Sequence, residues 1–275
     1  EFLVLPFGLS TAPGHATRMM NIYFHEYLYD FVQIYLDDIL IYSETATDHL
    51  GHLRKIFDVL RAKKLYAAPS KCYFFQQQVD YLGHIVGTGL LGMQQSKIEA
   101  LTSYPPPHNI LSLQQFLGTV NYYRRFIPRL STLVAPLTAL LRKNAPWEWG
   151  QKPQAAFEEI IRIMTSQPVL RLPDYSRPFF IATDASKVAT GAVLLQDFDR
   201  GYYEPIAYLS QSNNAHEQNY RPYELEFLSI IRATRKWRHY IHGNAFTVLT
   251  DHKALEGLTE KLTQPFNSRQ LRWIE

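Results

Sequence analysis

The amino-acid sequence predicts an α/β (α+β) protein with mixed sheets and flanking helices, and three observations support this fold class. Two apolar runs rich in β-branched and aromatic residues enclose Asp37 and Asp38, as in a strand, a tight turn and a second strand. Apolar residues between positions 48 and 65 recur with the period of an amphipathic helix. Beyond residue 178, three strand-like runs precede a long helical pattern and a further apolar run.

The N-terminal part of the chain is expected to form a loop, a helix, a hairpin and a second helix. A loop punctuated by proline and glycine, residues 5–14, leads into an apolar stretch over 19–28 that is long enough for a helix. The amphipathic helix over 48–65 should end before Pro69. The strands expected in this part lie at 31–34, 39–42, 73–75 and 79–86.

The middle of the chain is expected to be mainly helical. Ser112 and Gln115 form a predicted capping box that opens a helix ending near Arg125. A second amphipathic helix is expected over 153–166, and the proline-bounded segment 168–178 is expected to be an extended linker. This linker is the predicted domain boundary.

The C-terminal part alternates strands with helices in a way that predicts a second sheet. Pro222 suits the first turn of the long helix, because its fixed φ fits a helix and its missing N–H needs no partner there. The expected elements are strands at 179–183, 191–196 and 205–210, a helix at 223–241, a strand at 246–250 and a final helix.

Acidic residues occur where these elements end. Asp37 and Asp38 lie at the predicted hairpin bend, and carboxylates held there suit a hard divalent cation, although Asp is also an ordinary turn residue. Asp184 and Asp251 each close a predicted strand, and Glu224 and Glu226 lie early in the helix between them. Carboxylates that meet at strand ends suit two-metal phosphodiester hydrolysis, whereas turn and helix-terminus roles are the ordinary alternative. Periodicity does not decide between the two glutamates.

A series of short motifs follows in a fixed order along the chain. They are 5–13 (LPFGLSTAP), 35–38 (YLDD), 71–74 (KCYF), 81–84 (YLGH), 116–118 (FLG), 121–128 (NYYRRFIP), 183–186 (TDAS), 236–240 (KWRHY) and 250–253 (TDHK). This order resembles the reverse transcriptase and ribonuclease H regions of Gypsy-type LTR-retrotransposon Pol polyproteins. The resemblance covers essentially the whole chain.

The resemblance implies three regions and two catalytic sites. The regions are a partial reverse transcriptase palm over 1–90, a helical thumb/connection region over 91–168 and a C-terminally truncated ribonuclease H-like domain over 169–275. The residues with implied catalytic and metal-binding roles are Asp37, Asp38, Asp184, Glu226 and Asp251. Glu226 is preferred to Glu224 because Glu-Phe-Leu-Ser-Ile, residues 226–230, matches the family pattern.

The resemblance also implies a cofactor and partners. The cofactor is Mg²⁺, with Mn²⁺ as the alternative, and the partners are an RNA template, a DNA primer and an RNA/DNA hybrid. The intact parent would use dNTPs and carry protease and integrase domains. A third palm carboxylate is expected upstream of Glu1, so we expect the chain as given to lack polymerase activity. A fourth ribonuclease H carboxylate is expected beyond Glu275.

Basic and histidine residues give a weaker signal. Arg232, Arg235, Lys236 and His239 have the spacing of one helix face, which suits either contact with the phosphates of a hybrid or an ordinary solvated surface. Three arginines of the connection region, at 124, 125 and 129, are open to the same two interpretations. The histidines at 49 and 52 lack a third nearby ligand and are interpreted as non-metal.

The composition limits the class of protein. The 275 residues, 46% hydrophobic and 19% charged, suffice for two domains, each with its own core. A single cysteine, Cys72, excludes an internal disulfide, and no apolar run approaches the roughly 20 residues of a membrane span, so we expect an intracellular protein with no membrane partner. A net charge of +3 permits a nucleic-acid partner without requiring one.

Two other functions are alternatives to that of a retrotransposon enzyme fragment. One is a catalytically inactive, nucleic-acid-binding relic of such an element. The other is an unrelated hydrolase, which would need its own nucleophile and base, and the sequence has no G-x-S-x-G or similar motif.

Overall fold

The computed structural model describes residues 8–166, 168–252 and 255. The start of the LPFGL loop, Lys253 of the TDHK motif and the helix expected after the last strand therefore lie outside the described residues. The chain divides into two compact units, Glu1–Leu82 and Gly83–Glu275, called here the N-terminal and the C-terminal unit.

The N-terminal unit contains the predicted hairpin between two helices. Its elements are α1 (Ala12–Tyr23), β1 (Val32–Tyr35), β2 (Asp38–Ile41), α2 (Ala46–Ala62) and β3 (Gln78–Tyr81). Helix α2 begins at Thr45, whose hydroxyl accepts the Asp48 N–H at 3.1 Å and so satisfies a free donor of the first turn. The core of the N-terminal unit is small and consists of Met20, Phe24, Phe31, Val32 and Ile56.

Two predictions about the end of this unit are wrong. Residues 73–75 form no strand, because all three aromatic side chains are exposed and Phe75 has a φ of 55°, which breaks extended pairing. The strand expected over 79–86 is interrupted after Tyr81, since Leu82 and Gly83 both have positive φ, at 49° and 76°.

The C-terminal unit joins a helical layer to a four-stranded sheet. Its elements are β4 (His84–Gly87), β5 (Leu90–Met93), α3 (Gln95–Thr102), α4 (Ile110–Tyr122), α5 (Leu130–Ala139), α6 (Gln151–Thr165), β6 (Leu170–Arg171), β7 (Phe179–Ala185), β8 (Ala189–Asp197), β9 (Tyr203–Ser212), α7 (Pro222–Lys236), α8 (Arg238–Ile241) and β10 (Phe246–Leu249). The order of the sheet is β10-β7-β8-β9, in which β10 runs parallel to β7 and the other pairs are antiparallel.

Each part of this unit has its own core. Helix α7 packs its apolar stripe on the sheet, and Phe179, Ile181 and Leu194 are fully buried there with Ala233 and Trp237 of the helical side. The helices α3 to α6 enclose the other core, which Leu170 of β6 also enters. Strand β6 lies inside the segment expected to be a linker, because Leu170 and Arg171 pair with β5.

The start of helix α4 differs from the prediction. Asn109 is the N-cap, and its side chain accepts the Ser112 N–H at 2.8 Å while the Ser112 hydroxyl accepts the Asn109 N–H at 3.1 Å. The capping box therefore pairs Ser112 with Asn109 and not with Gln115. The long C-terminal helix is also shorter than predicted, since α7 ends at Lys236 and a separate turn, α8, follows.

Candidate active sites

Asp37 and Asp38 lie at the tip of the confirmed hairpin. Tyr35 pairs with Asp38 across the two strands, so Leu36 and Asp37 form a two-residue turn. Leu36 has a φ of 55°, the sign that such short turns require at their first central position and that a leucine adopts only at a cost. Both aspartates are exposed, so the hairpin presents two adjacent carboxylates to solvent.

Tyr81 lies close to this hairpin within the same unit. Burial raises the pKa of the Tyr81 phenol, and the negative charge of Asp38 raises it further. Its hydroxyl is buried without a hydrogen-bond partner among the described residues. The phenol is thus held near Asp38 as a neutral group.

Asp184 and Asp251 lie at the same edge of the four-stranded sheet. In the parallel pair, Ala182 of β7 is the partner of Leu249 of β10. Each aspartate follows its paired residue by two positions (184 − 182 and 251 − 249), so both are expected at a similar level along the strand direction. Both are exposed. The carboxyl ends of parallel strands commonly hold ligands.

Glu226 reaches this edge from helix α7. One carboxylate oxygen, Oε1, accepts the N–H of Ala185 at 3.1 Å, which ties the helix to the end of β7. The other, Oε2, is buried and has no hydrogen-bond partner among the described residues. Burial raises the pKa of Glu226, and the charges of Asp251 and Asp184 raise it further, while the Ala185 N–H and His252 oppose the shift. The three carboxylates therefore interact electrostatically.

Glu224 has a different position. Its carboxylate accepts the N–H of Arg221 at 3.0 Å, at the start of α7, and the side chain is buried. It therefore satisfies the helix terminus. Of the two glutamates that periodicity left open, the structure brings Glu226 to Asp184 and Asp251.

Arg129 is a neighbour of this site that sequence reasoning did not connect with it. Its Nη2 donates to Oδ2 of Asp184 at 2.9 Å, although 55 residues separate the two in the chain. No short-range pattern indicates this pairing. The only local signal is the spacing of three arginines in the connection region, which we interpreted as either surface or phosphate-binding.

The donor set fits a divalent cation in chemistry but is not gathered around one point. Among the described residues, no three His, Cys, Asp or Glu side chains stand close enough to hold an ion together. Like charges repel when no cation is between them, and Asp184 is paired with Arg129 instead. The orphaned buried Oε2 of Glu226 is the atom that a hard cation would satisfy.

The predicted basic face is only partly correct. Arg232 does not share an exposed face with the other three residues, because its guanidinium donates to Thr190, Asn213 and Glu217, each at 2.8 Å, and its side chain is 11% exposed. Arg235, Lys236 and His239 are exposed. The inward-facing oxygens that hold Arg232 come from β8 and the loop after β9, which helix periodicity does not show.

Two histidines of the N-terminal unit, His49 and His52, bond to one hydroxyl. The Nδ1 atoms of His49 and His52 lie 3.0 and 2.7 Å from Oγ of Ser43, and the His52 ring stacks on Phe31 with 3.8 Å between centroids. Burial, followed by the neighbouring His52, lowers the pKa of His49. These contacts give both rings a structural role.

Two known families match separate parts of the chain. Residues 1–86 match the family described as reverse transcriptase (RNA-dependent DNA polymerase), and residues 149–248 match the RNase H-like domain found in reverse transcriptase. The first range includes Asp37 and Asp38; the second includes Asp184 and Glu226 and ends before Asp251. The chain therefore carries a reverse transcriptase region followed by a ribonuclease H-like domain.

Similar proteins point to a more particular family. The chain is 39% identical over 276 aligned residues to the transposon Tf2-3 polyprotein of Schizosaccharomyces pombe, and 38% identical to the Tf2-7 polyprotein. Each alignment covers 99% of this chain and 21% of the relative, so the chain spans about a fifth of the polyproteins it matches. It belongs to the reverse transcriptase and ribonuclease H region of Gypsy-type LTR-retrotransposon Pol polyproteins.

Solved structures confirm the fold. The foamy viral protease-reverse transcriptase in complex with dsDNA matches with a TM-score of 0.81 at 22% identity, covering 98% of this chain and 57% of that one. The same viral protein in complex with an RNA/DNA hybrid matches with a TM-score of 0.79 at 22% identity, covering 98% and 37%. No helix among the described residues is long and apolar enough to cross a membrane.

Proposed function

We propose that the C-terminal unit cleaves the RNA strand of RNA/DNA hybrids and that Asp184, Glu226 and Asp251 hold the divalent cations of this reaction. The observation that supports this proposal most directly is the state of Glu226. Its carboxylate is half-buried at the end of β7, has one orphaned oxygen and has a pKa raised partly by both aspartates. Burying an ionisable carboxylate with one unpaired oxygen destabilises the fold, and such carboxylates are typical of functional sites.

The proposed cofactor is Mg²⁺, with Mn²⁺ as the alternative. Hard cations prefer carboxylate oxygens, and the three side chains supply such oxygens from β7, α7 and the end of β10. When bound, the ions would activate a water and stabilise the leaving oxygen of the scissile phosphate. The protein's own contribution is to fix the carboxylates, chiefly through the bond between the Ala185 N–H and Glu226.

For the N-terminal unit we propose a part in RNA-directed DNA synthesis by the parent polyprotein. The hairpin would present Asp37 and Asp38 as two of its metal ligands, beside an RNA template, a DNA primer and dNTPs.

Residues 1–90, 91–168 and 169–275 would correspond to palm, thumb/connection and ribonuclease H regions. Arg235, Lys236 and His239 would contact hybrid phosphates. Protease and integrase domains and an intracellular location belong to the same proposal for the parent.

A test of the proposed function is Mg²⁺- or Mn²⁺-dependent cleavage of a labelled RNA/DNA hybrid by the 275-residue chain extended at its C-terminus, so that the expected fourth carboxylate is included. Asp184→Asn is the matched variant, since it keeps the size of the side chain and removes the charge. We expect cleavage of the RNA strand by the wild type alone, with double-stranded DNA left intact.

The second candidate function is an inactive nucleic-acid-binding relic. The observation that favours it is the pairing of Asp184 with Arg129 in place of a gathered acidic cluster. Hybrid binding without cleavage by the extended chain, equal in wild type and Asp184→Asn, would support the relic and overturn the enzyme.

A further inference from the structure

Arg129 is held beside Asp184 by the backbone of the connection region. It immediately precedes α5 and has a φ of 51°, a left-handed conformation that costs energy for an arginine. The segment around it is fixed to β9, because the buried N–H of Ser131 donates to Oγ of Ser210 at 2.9 Å and Arg124 donates to the Ser210 carbonyl at 3.0 Å. The backbone from which the Arg129 side chain extends is therefore fixed next to the acidic site.

The ion pair itself is weak enough to exchange. The side chains of Arg129 and Asp184 are 75% and 64% exposed, and pairs exposed to this extent contribute little to stability. A divalent cation that binds Asp184 would place positive charge close to the guanidinium, and the two cations would repel each other. Arg129 and the cation thus compete for the same carboxylate.

The surroundings of Arg129 suit an anion once the pair has opened. A cavity of about 210 Å³ lies at this place and its lining combines the guanidinium with hydroxyl groups. Its polar lining residues include Arg129, Thr132, Asp184, Ser186 and Ser210. Guanidinium and hydroxyl donors together are typical phosphate ligands, because a guanidinium can bond two phosphate oxygens at once.

We propose that Arg129 is an exchangeable counter-ion of Asp184, displaced by the divalent cation and then bound to a backbone phosphate of the hybrid. This proposal rests on the proposed function, since it assumes that Asp184 is a cation ligand. It assigns Arg129 a positioning role: in the free protein it neutralises Asp184, and in the complex it holds the nucleic acid beside the carboxylates.

The first test measures Mn²⁺ binding to the 275-residue chain by electron paramagnetic resonance, without nucleic acid and with Asp37→Asn and Asp38→Asn in every protein, so that the hairpin carboxylates do not contribute. Arg129→Ala and Arg129→Gly both remove the guanidinium, and glycine also relieves the positive φ, so the pair of variants separates charge from backbone strain. Both should lower the Kd for Mn²⁺ about two- to five-fold, the range of an exposed ion pair. Arg129→Lys should stay near the wild type. Arg142→Ala, an exposed arginine beyond α5, is the control and should not change the Kd.

The second test measures binding of an RNA/DNA hybrid by fluorescence anisotropy in Ca²⁺ at several salt concentrations. If Arg129 binds a phosphate, Arg129→Ala should reduce the slope of log K against log salt by about 0.9, whereas Arg142→Ala leaves it unchanged. An unchanged slope for Arg129→Ala overturns the phosphate contact. An unchanged Mn²⁺ Kd for both the alanine and glycine variants overturns the competition.

Asp184→Asn separates this inference from the proposed function. If Asp184→Asn loses Mn²⁺ binding while Arg129→Ala binds like the wild type, only the role of Arg129 is refuted. If Asp184→Asn binds Mn²⁺ as well as the wild type does, Asp184 is not a ligand and both proposals fail.

Discussion

Asp37 and Asp38 lie on a two-stranded hairpin, whereas Asp184 lies near the end of an inner strand of a four-stranded sheet. The hairpin has one buried residue, Val32, among the residues of its two strands. Strand β7 is paired on both sides and buries Phe179 and Ile181 completely against α7. The first pair of carboxylates is therefore positioned mainly by a turn, and the second set by a packed core.

This difference explains how each site depends on its surroundings. The hairpin carries its two acids in consecutive positions, so a local turn is sufficient to bring them together. The ribonuclease H-like site collects its acids from β7, α7 and the end of β10, so it exists only when the sheet and helix are assembled. The two sites should therefore respond differently to substitution.

The largest expected effect is on hybrid cleavage. Asp184→Asn should reduce the rate of cleavage at least about 100-fold, because it removes one of the negatively charged groups that would hold the cations. Asp37→Asn should leave cleavage unchanged, because its hairpin belongs to the other site. Single-turnover cleavage of a labelled hybrid measures both. Equal losses in the two variants would show that the sites are not separate.

Core substitutions should show that the four-stranded sheet depends on packing more strongly than the hairpin does. Phe179→Ala should destabilise the C-terminal unit by about 3–5 kcal/mol, since the ring is fully buried beneath the sheet. Ile39→Ala in the hairpin should cost less than about 2 kcal/mol, because Ile39 is only half-buried. Hydrogen exchange of the strand amides in increasing urea reports on each unit separately. A larger loss for Ile39→Ala would reverse the comparison.

Glu226 should limit the stability of the C-terminal unit at neutral pH. Its pKa is raised above the ordinary value of 4.5, so the folded state binds the proton more tightly and its ionisation destabilises the fold as pH rises through the raised pKa. Glu226→Gln should therefore raise the Tm at pH 7 by a few degrees. Below pH 4.5 this gain should disappear, because the carboxyl is then protonated in both states.

The neighbouring Glu224 provides the matched control for this measurement. Glu224→Gln should lower the stability by about 0.5–1 kcal/mol, since it removes a negative charge that accepts the Arg221 N–H at the start of α7. Thermal unfolding followed by circular dichroism measures both variants. Changes of the same sign at pH 7 would contradict the different positions assigned to the two glutamates.

The smallest expected effect concerns the hairpin turn. Leu36→Gly should stabilise the hairpin by up to about 1 kcal/mol, because glycine adopts the φ of 55° without a steric cost. Leu36→Val should destabilise it, since a β-branched side chain tolerates this conformation poorly. Exchange rates of the amides in β1 and β2 show both shifts. Identical rates in the two variants would mean that the turn does not position Asp37.

Local patterns predicted the elements that short stretches of chain determine. The hairpin around Asp37, the sheet strands and the helix that starts at Pro222 follow from spacing of apolar residues and from turn and helix-start signals. The adjacency of Asp184 and Asp251 follows from reading their strands as neighbours in one sheet. The family resemblance chose Glu226 where periodicity left two candidates open.

What the sequence did not show depends on contacts between distant segments. The pairing of Arg129 with Asp184 requires the connection region to pack on β9, and no local pattern encodes that packing. Arg232 has the spacing of a surface residue, yet oxygens of Thr190, Asn213 and Glu217 hold it inside. The absence of a strand at 73–75 likewise escapes local patterns, because the three side chains are exposed and Phe75 has a positive φ.

The most direct test of the central claim is to map where a divalent cation binds along the chain. Fe²⁺ in place of Mg²⁺, with ascorbate and peroxide, generates radicals that cleave the polypeptide next to the bound ion. If these carboxylates hold the cation, fragments should end near Asp184, Glu226 and Asp251 in the wild type and should be lost in Asp184→Asn. Cleavage that avoids these three positions, or that persists unchanged in Asp184→Asn, would contradict this assignment.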